Sequence, residues 1–102
     1  MKPESDLIKV KIHTILALKK IIGQRELDVS IPQGSTVMDL LVWMKERWGD
    51  KLWSHLFESE SDRLLPHIRL MINGRSIEFL KGLDTLLQEG DEFLILPIVA
   101  GG

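Results

Sequence analysis

The sequence has no cysteine, almost no net charge and no long apolar run, and each absence excludes a class of function. Without cysteine there is no disulfide framework, no thiolate nucleophile and no metal site built on cysteine ligands, which fits a cytoplasmic protein. The net charge of −2 gives no sign of a surface for the phosphate backbone of a nucleic acid. No apolar stretch approaches the ~18 residues of a membrane-spanning helix, and the polar, acidic start is unlike a signal peptide.

The remaining composition is that of one ordinary globular domain. Hydrophobic residues make up 44% of the chain and charged residues 27%, as in soluble proteins of this size. A chain of 102 residues buries roughly two-thirds of its unfolded surface, which is enough for a core. We expect residues 1–6 to form a flexible leader, residues 7–97 one folded domain and residues 98–102 a tail.

Alternating apolar and polar residues predict several β-strands. Residues 7–13 and 25–31 alternate in this way and predict an antiparallel pair, joined by a loop with one helical turn. Residues 67–72 alternate too and lead into Asn73-Gly74, the dipeptide of a tight hairpin turn. We expect a short strand over residues 76–79 after that turn.

Helical spacing predicts one main helix in the middle of the chain. It begins after Ser35 or Thr36, whose hydroxyls can cap it, and ends at about Trp48 before Gly49. Its apolar stripe follows the helical period and comprises Val37, Leu40, Leu41, Met44 and Trp48. A second short helix is expected from Leu52 and an acidic surface loop over residues 58–62.

The last apolar segment, residues 92–96, is apolar on both faces, which is typical of a central strand. Leu83, Leu86 and Leu87 are expected to pack under the connection that leads to it. Strands grouped around one main helix predict an α+β domain, with a mixed sheet and the helix packed across one face.

The sequence carries no pattern for chemistry of its own. His13, His55 and His67 lie on different predicted elements without the spacing of metal ligands, so we expect no metal site. Nucleophile-elbow, phosphate-loop and dinucleotide-binding motifs are all missing. Asp91 and Glu92 follow a glycine turn, where acidic residues usually serve the turn itself. We therefore expect a protein that is not catalytic alone.

The segment Val99-Ala100-Gly101-Gly102 points to a different kind of function. Glycines have no side chain, so they can follow a narrow channel that larger residues would block. The reactive group at such an end is the α-carboxylate of Gly102. A tail of this kind suits a protein that is itself the substrate of a partner enzyme, and the alternative interpretation is a frayed terminus.

Several motifs in order resemble a known family. They are Ile31-Pro32-Gln33-Gly34-Ser35-Thr36-Val37, Asp39-Leu40-Leu41, Asn73-Gly74-Arg75-Ser76-Ile77-Glu78-Phe79-Leu80, Gly82-Leu83-Asp84-Thr85, Glu89-Gly90-Asp91-Glu92 and Pro97-Ile98-Val99-Ala100-Gly101-Gly102. Together they resemble the MoaD branch of the MoaD/ThiS sulfur carriers, the small subunits of molybdopterin synthase and their relatives. The resemblance spans nearly all of residues 7–102 and implies a ubiquitin-like β-grasp fold.

The resemblance also implies a carrier cycle. An E1-like enzyme would use ATP to adenylate the carboxylate of Gly102, and a persulfide sulfur donor would displace AMP to leave a thiocarboxylate. A large molybdopterin-synthase-like subunit would then use that sulfur to build the dithiolene that holds molybdenum or tungsten. On this interpretation the chain binds no cofactor itself, and the partner enzyme consumes the ATP.

The resemblance assigns roles to the residues around the tail. Gly102 would react, and the residues before it would thread the channel of the partner: Gly101, Ala100, Val99 and Ile98. An exposed apolar face on the last strand and a second apolar segment predict the partner surface, since such patches mark interaction sites. With two nearby cations, the predicted interface residues are Leu96, Phe79, Leu80, Arg75 and Lys81.

Three other functions stay open at this stage. The sulfur could serve thiazole synthesis or the thiolation of transfer RNA. The chain could be a ubiquitin-like modifier that joins Gly102 to lysines of target proteins. It could also be a β-grasp interaction module with an inert tail, which alone among these functions does not need the terminal carboxylate.

Overall fold

Five strands and three helices make up the part of the chain that the structure, a computed structural model, describes: residues 6–58 and 63–97. The strands are β1 (Leu7–His13), β2 (Glu26–Pro32), β3 (Ile68–Ile72), β4 (Arg75–Ser76) and β5 (Glu92–Pro97). The helices are α1 (Leu16–Ile22), α2 (Val37–Trp48) and α3 (Asp50–Trp53), and 3₁₀ turns cover Ile77–Phe79 and Gly82–Asp84. The tail, most of the leader and positions 59–62 of the acidic loop lie outside the described residues.

The strands form one mixed sheet in the order β2-β1-β5-β3-β4. Strands β1 and β2 pair antiparallel over their full length, from Leu7 opposite Pro32 to His13 opposite Glu26. Strand β5 runs parallel to β1 and antiparallel to β3, so it occupies the centre. These pairings confirm the predicted antiparallel pair, the central last strand and the mixed sheet of an α+β domain.

Helix α2 begins at a capping box that its sequence encodes. The side-chain oxygen of Thr36 accepts the Asp39 N–H at 3.2 Å, and a carboxylate oxygen of Asp39 accepts the Thr36 N–H at 2.9 Å. These bonds satisfy two backbone donors that the first turn of a helix leaves without partners. The helix ends at Gly49, whose N–H donates to the Lys45 carbonyl at 2.6 Å.

The core lies between one face of the sheet and the helices. Phe93 and Ile95 of β5 are fully buried, as are four residues of α2: Val37, Leu40, Leu41 and Met44. Leu18 and Ile22 of α1, four residues apart on one face of the helix, also pack into this core. The predicted stripe of α2 is thus confirmed in its first four members, and Trp48 is only partly buried.

Three local predictions are wrong. The link after β1 is a seven-residue helix rather than a loop with one turn, because its buried pair makes the segment amphipathic and Gly23 ends it at φ 93°. Residues 76–79 do not continue as a strand: Ser76 Oγ accepts the Glu78 N–H at 3.3 Å and begins a 3₁₀ turn. Leu86 is 53% exposed, whereas its neighbour Leu87 is buried.

Two phenylalanine substitutions test where the stability of this fold originates. Phe93→Ala removes a fully buried ring beside α2 and should lower the free energy of unfolding by about 3–5 kcal/mol. Phe79→Ala removes a ring that is 76% exposed and should change it by less than about 0.5 kcal/mol. Urea denaturation of both variants measures the difference, and similar losses would contradict the described core.

Candidate functional site

The face of the sheet opposite the core is the first candidate surface, and we call it the open face. Because side chains alternate along a strand, the burial of Phe93 and Ile95 turns Leu94 and Leu96 to the other side. Both leucines are half-buried there, and the neighbouring Glu92 is exposed. The open face therefore has an apolar centre on its middle strand.

Cross-strand neighbours widen this centre into a strip. Leu94 lies opposite Met71 of β3 on one side and His13 of β1 on the other, and Leu96 lies opposite Arg69. We call Met71, Leu94 and Leu96 the open-face strip. Strand β5 ends at Pro97, so the tail begins directly beside Leu96, at one end of the strip.

Charged side chains line one side of the strip. His13 Nε2 lies 3.1 Å from Glu92 Oε1, and His13 Nδ1 lies 3.7 Å from Glu26 Oε2. Lys11 Nζ lies 3.7 Å from Glu26 and 3.6 Å from Asp28. The carboxylates in these pairs are more than half exposed, so each pair contributes little to stability and is free to rearrange against a partner.

The hairpin turn after β3 holds the start of β5 in place. Asn73 has φ 51° and Gly74 φ 86°, the left-handed angles of a two-residue hairpin turn. Asn73 Nδ2 donates to Asp91 Oδ1 at 2.9 Å, and Asn73 Oδ1 accepts the Glu92 N–H at 2.9 Å. The other oxygen of Asp91 accepts the Gln88 N–H at 2.8 Å. The carboxylate of Asp91 therefore serves the glycine turn before β5, as predicted, and it also contacts the hairpin turn. The carboxylate of Glu92, predicted to serve the same glycine turn, contacts His13 instead.

The predicted interface residues do not lie together. Arg75 lies opposite Ile72 of β3, whereas Leu96 lies opposite Arg69 of the same strand. Because Ile72 and Arg69 are three residues apart, Arg75 and Leu96 are separated by roughly 10 Å along the strand direction. Arg75 and Leu80 line one shallow depression at that far end. Phe79 beside them is 76% exposed, and Lys81 is exposed too. We call Arg75, Phe79, Leu80 and Lys81 the hairpin-end patch.

The sequence patterns did not identify Met71, Leu94 and His13 as residues of the open face. The signal that finds Leu94 is its alternation with Phe93, which is visible in the sequence. The pairing of Leu94 with Met71 and His13 depends on the order of strands distant in the chain, which no local pattern encodes.

Neither a cluster of metal ligands nor a membrane-spanning helix occurs within residues 6–58 and 63–97. In that part of the chain, no three histidine or acidic side chains are grouped as metal ligands. The same residues include no helix long and apolar enough to cross a bilayer.

The sheet order and the helix across one face define a ubiquitin-like β-grasp domain. The sequence model of the ThiS family matches residues 16–102. The chain therefore belongs to the ThiS family, within the group of sulfur carriers and ubiquitin-like modifiers, which confirms the resemblance of its motifs.

Three similar proteins illustrate the range of this group. A protein of Archaeoglobus fulgidus named as a sulfur carrier is 33% identical over 81 residues, which cover 79% of this chain and 89% of that protein. The structure of small archaeal modifier protein 1 from Methanosarcina acetivorans has a TM-score of 0.75 at 31% identity, with 94% and 98% coverage of the two chains. A Pyrococcus furiosus structure named as subunit 1 of a molybdopterin converting factor has a TM-score of 0.71 at 25% identity, with 90% and 99% coverage.

Substitution of Asp91 tests its role in the turn. Asp91→Ala removes the acceptor of the Gln88 N–H and the Asn73 amide, so it should lower the free energy of unfolding by about 1–3 kcal/mol. The control is Glu92→Ala, which removes only an exposed contact to His13 and should cost under about 1 kcal/mol. Equal losses in thermal or urea denaturation would contradict the assignment of Asp91 to the turn.

Proposed function

We propose that the chain is a sulfur carrier whose reacting group is the C-terminal carboxylate of Gly102. The observation that carries the proposal is the match to the ThiS family, which extends through residue 102. The likeness to the Archaeoglobus fulgidus protein named as a sulfur carrier supports the same function. The chain would act as a substrate, and the enzymes that act on it would supply the catalysis.

The proposed cycle begins with activation of a poor electrophile. One carboxylate oxygen of Gly102 attacks the α-phosphate of ATP on an E1-like enzyme, which releases pyrophosphate and forms an acyl-adenylate. The terminal sulfur of a persulfide donor then attacks the acyl carbon, and AMP leaves. A thiol cleaves the resulting acyl disulfide, so the donor ends as a disulfide and Gly102 as a thiocarboxylate. The residues from Ile98 to Gly101 would reach into the active site.

The open-face strip is the contact surface that suits this cycle. The tail begins beside Leu96, so an enzyme that encloses the last residues also comes against the strip. An apolar centre with a charged margin is the usual composition of a protein interface. The activating enzyme and the sulfur-accepting subunit would use the same surface, and they would therefore bind in turn rather than together.

The sulfur acceptor we propose is a pterin precursor held by a large molybdopterin-synthase-like subunit. The likeness to the Pyrococcus furiosus protein named as a molybdopterin converting factor supports this assignment. The product would be the dithiolene that binds molybdenum or tungsten. The chain itself would hold no cofactor and would act in the cytoplasm, where thiols stay reduced and can release the sulfur from the acyl disulfide.

A ubiquitin-like modifier is the second candidate. The likeness to small archaeal modifier protein 1 favours it. The same acyl-adenylate would then react with a lysine amine of a target protein, and an isopeptide bond to Gly102 would replace the thiocarboxylate.

The intact mass of the chain tests the carrier proposal. After incubation with ATP, an E1-like enzyme from the same source and a persulfide donor, the mass should increase by the replacement of one oxygen with sulfur. A variant without Gly102 should show no change, because its terminal carboxylate is one residue too short for the active site. An unchanged mass of the full chain, with the enzyme shown to be active on another carrier, would contradict the proposal.

The same incubation separates the second candidate from the first. Addition of cell extract to the activated chain would yield lysine conjugates if the chain is a modifier. Trypsin cleaves the native chain after Lys81 and at no later position, so the conjugates would be detected as target lysines that carry the remnant Gly82–Gly102. Sulfur transfer without such conjugates would support the carrier function alone.

Charged substitutions test the predicted partner surface. Leu96→Glu should weaken binding to the activating enzyme by tenfold or more, since it places a carboxylate in the apolar centre of an interface. Phe79→Glu should weaken whichever complex includes the hairpin-end patch. The matched control is Val42→Glu on α2, a valine that is 41% exposed and belongs to neither surface. Unchanged affinities, measured by titration calorimetry on variants with native amide spectra, would contradict the assignment.

A further inference from the structure

The two edge strands of the sheet, β2 and β4, differ in length, and the proposed carrier cycle involves neither edge. Strand β4 has two residues and turns into a 3₁₀ segment, which is how native proteins commonly shorten an exposed edge. Strand β2 is a regular seven-residue edge, with its single proline at the last position. An unshortened edge of this length can accept a further strand.

The hydrogen bonds that flank the β1–β2 ladder show which backbone groups of β2 are free. The Gln33 N–H donates to the Asp6 carbonyl at 2.8 Å, and the Thr14 N–H donates to the Arg25 carbonyl at 2.9 Å. Antiparallel pairs alternate between bonded and non-bonded residues, so the odd-numbered residues of β2 turn their backbone toward β1. The even-numbered residues turn their backbone away from the sheet.

Three residues therefore turn backbone groups outward along this edge, where no other described strand lies. Glu26, Asp28 and Ser30 direct both N–H and C=O outward, and no described strand pairs with β2 on that side. Pro32 ends the series, because it has no N–H and its carbonyl accepts the Ser35 hydroxyl at 2.7 Å. The spacing of two residues matches the ladder that an added strand would form.

A groove continues this edge toward helix α2. It has a volume of about 420 Å³ and lies between the end of β2 and one face of the helix. Its apolar lining includes Ile31, Val42 and Trp43, of which Val42 is 41% exposed. Side chains on one face of an added strand would pack against this lining.

The charge of the groove specifies its occupant. Asp39 and Glu46 are exposed members of its lining, and no lysine or arginine is among the lining residues. Arg47 of the same helix lies against the rings of Trp43 and Trp48, with its guanidinium 5.8 Å and 5.3 Å from their centroids. The groove is therefore apolar at its base and acidic at its margin.

We propose that this edge and groove bind an extended segment of a partner protein, with β-branched residues at alternate positions and lysine or arginine at its ends. The segment adds a sixth strand to β2 through Glu26, Asp28 and Ser30. Its apolar side chains contact Val42 and Trp43, and its cations approach the acidic margin. The site is separate from the open-face strip, so the proposal stands independently of the sulfur chemistry.

A synthetic peptide provides the direct test. The probe is fluorescein-labelled Lys-Lys-Val-Thr-Ile-Thr-Val-Thr-Lys-Lys, which carries cations at both ends and so fits either strand direction. It should bind the full chain with a Kd below about 1 mM, and binding should slow hydrogen exchange at the Asp28 and Ser30 amides. The control peptide with glutamates at both ends should bind at least tenfold more weakly at low salt.

A proline substitution tests the added strand itself. Ser30→Pro removes an outward N–H that β1 does not use, so the sheet should persist and peptide affinity should decrease about fivefold. Ser30→Thr keeps the N–H and should leave the affinity unchanged. Trp43→Ala, which removes part of the groove lining, should also decrease affinity, and it serves as the second variant if Ser30→Pro does not fold.

Five results would overturn the proposal, and four of them concern the peptide. These four are the absence of saturable peptide binding up to about 1 mM, equal binding of the glutamate peptide, equal affinity of Ser30→Pro and Ser30→Thr, and slowed hydrogen exchange confined to amides of the open face. A dimer of the chain alone that protects the same β2 amides would also overturn it, because the occupant would then be a second copy.

Discussion

The rest of the structure depends on the insertion of β5 between β1 and β3. This strand forms ladders on both sides, parallel to one neighbour and antiparallel to the other, and it joins the first and last parts of the chain into one sheet. Phe93 and Ile95 extend from it into the centre of the core. Because the tail continues from the same strand, the segment that would react is attached to the most firmly held element of the domain.

The two faces of the sheet serve different purposes. The core face packs closely against α2 and supplies the stability, whereas the open face carries half-buried leucines and exposed ion pairs. Exposed pairs contribute little to folding, so a partner can displace them at small cost. The proposed cycle, in which several enzymes would bind the domain in turn, would then require no change in its fold.

The parts of this account that the sequence predicted rest on regular periodicity or specific local chemistry. The strands and α2 follow from alternation and helical spacing, and Asn73-Gly74 and Thr36 with Asp39 encode a turn and a cap in a few residues. Helix α1 was missed because seven residues are too few to show a period clearly, and the 3₁₀ turn after Ser76 because a side-chain hydroxyl ends the strand. The separation of Leu96 from Arg75 depends on pairings between strands distant in sequence, so it required the structure.

The central claim is that an enzyme activates Gly102, and pyrophosphate exchange tests it most directly. Labelled pyrophosphate is mixed with ATP, an E1-like enzyme from the same source and the full chain, and the label that enters ATP is measured. The account predicts exchange that needs the chain and is lost when Gly102 is deleted, since the acyl-adenylate forms reversibly. Exchange that is absent with the full chain, or equally fast without Gly102, would contradict it.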